Sequence, residues 1–516
     1  MVATDRTPLR AAPREGAAVH AELTQGDLLE VRGQRLDHLQ VYDHRRERAG
    51  FVRAEAVRRL PPASPAPSTA GSTTSATSSL AAAASGAAEA QELLSVLRFL
   101  RHAPGQEALG IAYVAAYLQA ASAERIDAES FDALGVMAER LARRASRARP
   151  GEAAAAQVQA VVAYGVRFAT LERDGRLQLC YDGEAFRRVL ALRPTSAEQA
   201  RAILGLTRHD CVDPQLPPTA RIALDDRRAD LLDLPWPRGY NDLPQLVKNR
   251  LHLRRAGLWA GRAHQQARQG RPAQAAAERA IAELAAVNKS EFTDDDQLEY
   301  AEAAIRVGAA RWAAVGQDAL ARASAAGLRL VAAPGHEPGQ TCVQLLAAES
   351  PANNTAGPQR LAERCTFGTV WAPSLAVRPA GDALVLAVQP LEGWTELWLF
   401  RAESAVASSP EVAAAGTGAG AGAAPGERMP WRIDVLAPAP STPGLGYIEF
   451  AGWTPGPQPR LLVARESRIE GRFHRRFEVL ALDTLDAVKQ ASSPQLLAAF
   501  GQFSDAQWRR RTVALR

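Results

Sequence analysis

The side chains of this chain whose chemistry is most constrained by spacing are its four cysteines. Cys180 and Cys211 fall in one segment, Cys342 and Cys365 in another. Neither spacing is a C-x2-C zinc half-site or a redox C-x-x-C pair. Two local disulfides, 180–211 and 342–365, are the simplest partition, each worth about 3 kcal/mol in the chain-entropy account. The competing reading is four buried thiols acting as small apolar residues. Paired cysteines in even number suit an oxidising compartment, the periplasm or cell envelope. The opening residues, Met-Val-Ala-Thr-Asp-Arg, lack the charged and apolar blocks of an export signal and by themselves read as cytoplasmic. On the disulfide reading, that signal has been lost from this N-terminus.

Other constellations are weaker. His209-Asp210-Cys211 sets an imidazole, a carboxylate and a thiol side by side. Adjacent residues rarely reach the geometry of a nucleophile and its base, and no oxyanion-forming glycine motif accompanies them. Cys211 is therefore read as a disulfide partner. His336-Glu337 lacks the second histidine of H-E-x-x-H, and Gly416–Gly422 lacks the Lys-Ser/Thr of a phosphate-binding loop. Asp294-Asp295-Asp296 follows Thr293 and suits the positive end of a helix dipole better than a metal. Trp394 and Trp398 are four apart, so on a strand they share a face. There they can stack a sugar or a protein partner, or fill a sheet core. The sequence thus assigns no catalytic residue, no metal ligand and no cofactor.

Composition bounds the class of protein. The 516 residues predict roughly three domains. A hydrophobic fraction of 47% with only 6% aromatics predicts cores of Leu, Val and Ala. The net charge of +5 is small for this length, and the only lysines are Lys248, Lys289 and Lys489. Arginines cluster at 140–149 and 472–476, but no stripe of cations interleaved with aromatics or reader motif predicts nucleic-acid binding. No apolar run approaches the roughly 20 residues of a membrane-spanning helix.

Local periodicity predicts a multidomain α+β protein. In residues 1–60, the runs Pro8-Leu9-Arg10, Val19–Leu23, Asp27–Val31, Leu39–Tyr42 and Gly50-Phe51-Val52 alternate with turns at Pro13/Gly16, Gln25-Gly26, Arg32-Gly33 and Ala49-Gly50. This is the spacing of a small closed barrel. The layout resembles the bacterial SH3-like (SH3b) family of cell-envelope modules. That resemblance implies a targeting module with ligand-facing aromatics at Tyr42 and Phe51, and peptidoglycan or an envelope protein as partner. His38-Leu39 and Gly50-Phe51-Val52 stand where tryptophans are common in the family.

Residues 61–89, rich in Pro, Ala, Ser and Thr, predict a disordered linker that lets the module search independently. Residues 90–330 read as mainly helical, with a β-hairpin near 166–181 around Asp174-Gly175 and a capping box at Ser196/Gln199. Residues 331–516 read as β-rich, with a flexible Ala/Gly insert at 402–426. Within them, Ser374–Phe400 and Ile448–Asp483 repeat one order: strand, turn, strand, turn, strand. These two units resemble blades of TolB-like or WD40-like β-propellers, though a complete ring needs at least four blades. A truncated blade-like sheet packed on helices is expected instead.

The expected function is non-enzymatic: a cell-envelope binding or scaffold protein whose SH3-like module targets peptidoglycan or a protein partner. The alternative is a peptidoglycan hydrolase with a site assembled from distant residues of the helical or C-terminal domain. Peptide mapping of unreduced protein should return the linked pairs 180–211 and 342–365; four free thiols would remove the argument for an oxidising compartment.

Overall fold

The computed structural model describes the chain apart from residues 44–45, 47, 61–88, 147–151, 174–175, 237–238, 316–327, 348–358, 403–430, 441–443 and 510–516. The expected linker and the Ala/Gly insert lie almost wholly outside the described residues. The chain forms two compact units, residues 1–216 with 234–243, and residues 217–233 with 244–516. The helical stretch 90–330, read from the sequence as one domain, is therefore divided. Helices from residue 218 onward belong with the C-terminal sheets, apart from the single turn at 240–242.

The first unit opens with β1 (Thr7–Arg10), β2 (Val19–Leu23), β3 (Glu30–Arg35), β4 (His38–Asp43) and β5 (Arg48–Arg53). They pair antiparallel in the order β2-β1-β5-β4-β3. Alternation puts Leu9, Leu23, Leu39, Val41 and Val52 into one small core with Val2. The closed barrel predicted from the turn spacing is not formed: β2 and β3 end the order without pairing to each other. Strand β3 is exposed or half-exposed along its whole length, so it has no inward apolar row to seal a seam.

The N-terminal sheet is also not free to search. Met1 packs with Val96 and Leu100 of α1 (89–100), and the Met1 ammonium donates to the Arg58 carbonyl at 2.9 Å. Gly26, at φ +94°, sits so close to the turn after α1 that a Cβ there would lie 2.5 Å from the Ala103 methyl. Only glycine combines that backbone angle with that approach.

Beyond α1, α2 (Glu107–Ala120), α3 (Ala128–Ala145) and α4 (Glu152–Val162) share a core around Leu97, Ile111, Val114, Met137 and Leu141. Asp132 of α3, fully buried, is gripped by Arg101 at 2.6 Å and Arg201 at 2.9 Å. The hairpin β6 (Phe168–Arg173) and β7 (Arg176–Tyr181) pairs Arg173 with Arg176 across Asp174-Gly175. Two helices follow, α5 (Glu184–Ala191) and α6 (Ser196–Leu206). The capping box of α6 lies one residue earlier than expected, with Thr195 as cap and Glu198 reaching back to its backbone N–H at 2.8 Å. Thr195 holds the extended backbone that a cap needs, while Ser196 is already helical.

The second unit layers α7 (Pro218–Leu232), α8 (Gln245–Arg268), α9 (Gln274–Ala285) and α10 (Asp294–Ala310) against β-structure. Alanines dominate the contact of α8, α9 and α10, as the composition predicted. A three-stranded sheet, β8 (Leu328–Pro334), β9 (Thr341–Ala347) and β10 (Arg360–Thr366), precedes a larger one. The larger sheet holds β11 (Thr369–Val377), β12 (Ala383–Leu391), β13 (Trp394–Ala402), β14 (Trp431–Leu436), β15 (Gly446–Trp453), β16 (Arg460–Ile469), β17 (Arg472–Ala481) and β18 (Ala487–Ala491). Its order is β11-β12-β13-β15-β16-β17-β18, with β14 also on β13. The two similar units of the sequence thus share one continuous sheet, joined by the parallel pairing of Trp394 with Gly446 and Thr395 with Tyr447.

Strands β12 and β13 are buried on both faces. Leu384, Leu386, Val388, Trp398 and Phe400 pack against Leu330, Val343 and Leu345 of the smaller sheet. Ala383, Val385, Leu397 and Leu399 face the other way, onto Ile448, Leu461, Val463 and Leu480. Double burial explains the near-continuous apolar runs of these strands. A further helix, α11 (Ala498–Phe503), covers the outer side of β16 and β17.

The Gly26 contact yields a test. Gly26→Val adds a side chain at a positive φ and into Ala103, and should cost about 2–4 kcal/mol. Urea unfolding followed by circular dichroism would read the loss, and faster proteolysis within 61–88 would report release of the N-terminal sheet.

Candidate functional site

The sequence-derived site residues fall into three places. Tyr42 and Phe51 come together on the outward face of the N-terminal sheet. His38, Gln40 and Tyr42 follow one another on one side of β4, opposite Arg53, Phe51 and Ala49 of β5, and Arg10 of β1 pairs with Phe51. The opposite side carries the core residues Leu39, Val41 and Val52, so the pleat itself turns Tyr42 and Phe51 outward. Both rings are half-buried. The Arg32 guanidinium lies 4.1 Å from the Tyr42 ring centroid, a cation–π contact. The result is a face of two aromatic rings with an amide between them and arginines around them. Such a face can stack a planar or sugar ring and pair with a carboxylate.

Trp394 and Trp398 do share a face of β13, but that face is interior. Each is 2% exposed, and Trp398 lies in the core between the two sheets. They fill space rather than present a stacking platform. Strand alternation alone could not decide this, because β13 is covered on both sides.

The cysteines pair as 180 with 211 and 342 with 365, leaving no free thiol. Cys342 and Cys365 are direct partners across β9 and β10. Cys180 on β7 ties the hairpin to the segment after α6, with a Cα separation of 5.7 Å. The nucleophile reading of His209-Asp210-Cys211 loses its thiol to this bond. Asp210 instead receives Gln178 at 2.8 Å and Arg208, and the His209 carbonyl accepts from Arg173 at 2.9 Å. The Glu363 carboxylate comes within 4.8 Å of both Cys342 and Cys365 sulfurs, yet a disulfide has no thiolate to give a metal. His336 is exposed in a loop, its backbone N–H bonded to the Gln340 side chain at 3.1 Å. Asp296 caps α10 with Thr293 and pairs with Arg250 at 2.6 Å, the helix-end role its position predicted.

One charged cluster was not foreseen. Glu392 sits at the tip of the β12–β13 hairpin, in the two-residue turn Glu392-Gly393 between paired Leu391 and Trp394. Its two oxygens take Arg221 of α7 at 2.7 Å and Arg306 of α10 at 2.9 Å. Asp225, one turn beyond Arg221, binds Arg221 at 2.8 Å, buried Arg228 at 2.8 Å and Gln265 of α8 at 3.0 Å. Gly261 of α8 makes room: a Cβ there would lie 3.0 Å from a Glu392 oxygen. Burial opposes ionisation of Glu392, but Arg221 and Arg306 outweigh it and hold its carboxyl below the ordinary range. Burial likewise pulls Arg228 down to about 10. The spacing Arg221/Asp225/Arg228 on one helix face was a legible signal. A hairpin-tip glutamate, normally bathed in water, offered none.

His264 borders this cluster, 2% exposed, its Nδ1 3.4 Å from the Thr369 hydroxyl. Burial pushes it down to about 4, only partly offset by Glu392. It is therefore neutral when folded, whereas the unfolded side chain protonates near pH 6.5. Below that pH the unfolded state binds the extra proton, so stability falls as pH drops from about 6.5 to 4, by up to about 3 kcal/mol. Urea unfolding at pH 7 and pH 4.5 should show a smaller pH difference in His264→Gln than in the native chain. An unchanged difference would mean His264 is not held neutral.

Compared with known proteins, the chain matches no family model, no curated protein and no solved structure.

Proposed function

We propose that this is a binding protein of the cell envelope, with a recognition surface on the outward face of its N-terminal sheet. The observation carrying this reading is the convergence of Tyr42 and Phe51, half-exposed and ringed by Arg10, Arg32 and Arg53, on the face opposite the core. Peptidoglycan offers what such a face takes: sugar rings to stack and stem-peptide carboxylates to pair with guanidinium groups. An SH3-like identity for this sheet, with blade-like units in the C-terminal sheet, is part of the proposal. Its support is the five-strand turn spacing of residues 8–59 and the repeated strand order of Ser374–Phe400 and Ile448–Asp483.

The two disulfides support an oxidising compartment, and among the described residues no helix is long and apolar enough to cross a membrane. The packing of Met1 and Gly26 on α1 and its following turn makes the N-terminal sheet a fixed arm of its unit, not a roving one. Recognition and scaffold are then rigidly coupled, which lowers the ordering entropy lost on binding.

The test is co-sedimentation with purified sacculi. The double variant Tyr42→Ala/Phe51→Ala keeps the core face intact and should bind at least tenfold more weakly. Equal binding by native and variant chains would overturn the assignment of this face. Loss of sacculus turbidity on mixing would report hydrolysis and overturn the non-enzymatic reading.

A further inference from the structure

The two disulfides stand in different settings. Cys180–Cys211 joins the β6–β7 hairpin to a separate segment after α6, and Cys180 is buried. Cys342–Cys365 joins residues that the sheet already holds opposite each other. Their ladder runs from Arg360 opposite Leu346 to Thr366 opposite Thr341, on both sides of the bond. Opening this bond therefore leaves the two sulfurs side by side, because the backbone ladder keeps their strands in register. Cys342 is buried, whereas Cys365 is exposed and offers its sulfur to an attacking thiolate.

Strand alternation brings a third donor to the same side. Glu363 lies two residues before Cys365 on β10, opposite Gln344, which lies two residues after Cys342 on β9. A Glu363 oxygen and the two sulfurs fall within 4.8 Å of one another. A tetrahedral zinc, with bonds of about 2.0–2.3 Å, spaces its ligand atoms about 3.3–3.8 Å apart, so side-chain rotation alone closes the set. Glu363 is exposed, and it accepts from Gln344 at 2.9 Å and from Arg360. Each carboxylate oxygen keeps a second lone pair. Such hydrogen bonds orient a ligating carboxylate rather than occupy it.

We propose that Cys342, Cys365 and Glu363 form a redox-gated zinc site, shut as a disulfide and open to the metal as a dithiol. A dithiol reductant opens it by exchange. Its first thiolate attacks the Cys365 sulfur, and Cys342 leaves as the thiolate. Its second thiolate displaces Cys365 and closes the reductant's own disulfide, so two electrons and two protons pass to the protein. Zinc then replaces the two thiol protons, Glu363 supplies the third ligand and water takes the fourth position. Two thiolates with one carboxylate select zinc over the hard cations magnesium and calcium. An oxidising compartment keeps the site shut, and a reducing one loads it. This site is independent of the N-terminal face, and its outcome does not depend on that reading.

The test uses the full chain, reduced with dithiothreitol and freed of it by gel filtration under argon, with cobalt(II) as the spectroscopic probe. One cobalt per chain should bind with a thiolate-to-cobalt charge-transfer band, zinc should displace it, and the unreduced chain should show no band. Cys365→Ser should abolish the band, and Glu363→Gln should weaken cobalt binding at least tenfold, both with unchanged circular dichroism. Mass mapping at limiting dithiothreitol should find 342–365 opened before 180–211. No band in the reduced chain, a band that survives Cys365→Ser, or earlier opening of 180–211 would overturn the proposal. Should Cys365→Ser fail to fold, the exposed Glu363→Gln decides, since undiminished cobalt affinity there would also overturn it.

Discussion

The second unit depends on one half-buried carboxylate. Glu392 is carried on a hairpin tip, yet it is met by guanidinium groups from α7 and α10 and faces the glycine that opens α8. Desolvating that charge is costly, and the cost is offset only while both arginines are in place. Breaking any one contact leaves an uncompensated charge among helices and sheet. The network therefore adds little net stability over an apolar core, but it strongly disfavours alternative packings. It specifies which turn of the sheet meets which helix, a job that alanine-rich helix surfaces, smooth and interchangeable, cannot do. Asp225 extends the same logic inward by sharing its two oxygens among Arg221, Arg228 and Gln265.

The same device recurs in the first unit. Asp132, buried in α3, is held by arginines that follow α1 and lie on α6, and Glu107 of α2 by Arg144 of α3 at 2.8 Å. Few aromatics are available to give these helices distinctive shapes, so charged pairs carry the positional information. A few arginines of the chain are interior. Arg208, Arg228, Arg254 and Arg311 are all buried. Arginine suits this use because its planar fork can satisfy several acceptors at once and it stays charged when desolvated.

Much of the local architecture is legible in the amino-acid sequence. The Asp174-Gly175 hairpin, the acidic start of α10, the pairing of helices α8 and α9 around Gly270 and the strand order of the C-terminal repeats all follow from periodicity and turn chemistry, which act over a few residues. The cysteine partition is legible for the same reason, since each pair lies close along the chain. Tyr42 and Phe51 can be placed on one face because strand alternation is fixed by the pleat. Trp394 and Trp398 obey the same rule, but which side of their strand is covered lies beyond it.

Sequence by itself therefore determined most of the elements and turns, the disulfide partners and the inward or outward sense of strands with one wet face, and missed the cap of α6 by one residue. Tertiary structure decided everything that required distant segments to meet. It left the N-terminal sheet open and seated it on α1, divided the helical middle between two units, drew the two repeats into one sheet and buried both sides of β13. It also turned Glu392 from a turn residue into an anchor. The physical reason is common to all of these. Local preferences are set by backbone sterics and neighbouring side chains, whereas burial is set by whichever surface arrives opposite, and no stretch of sequence contains its own opposing surface.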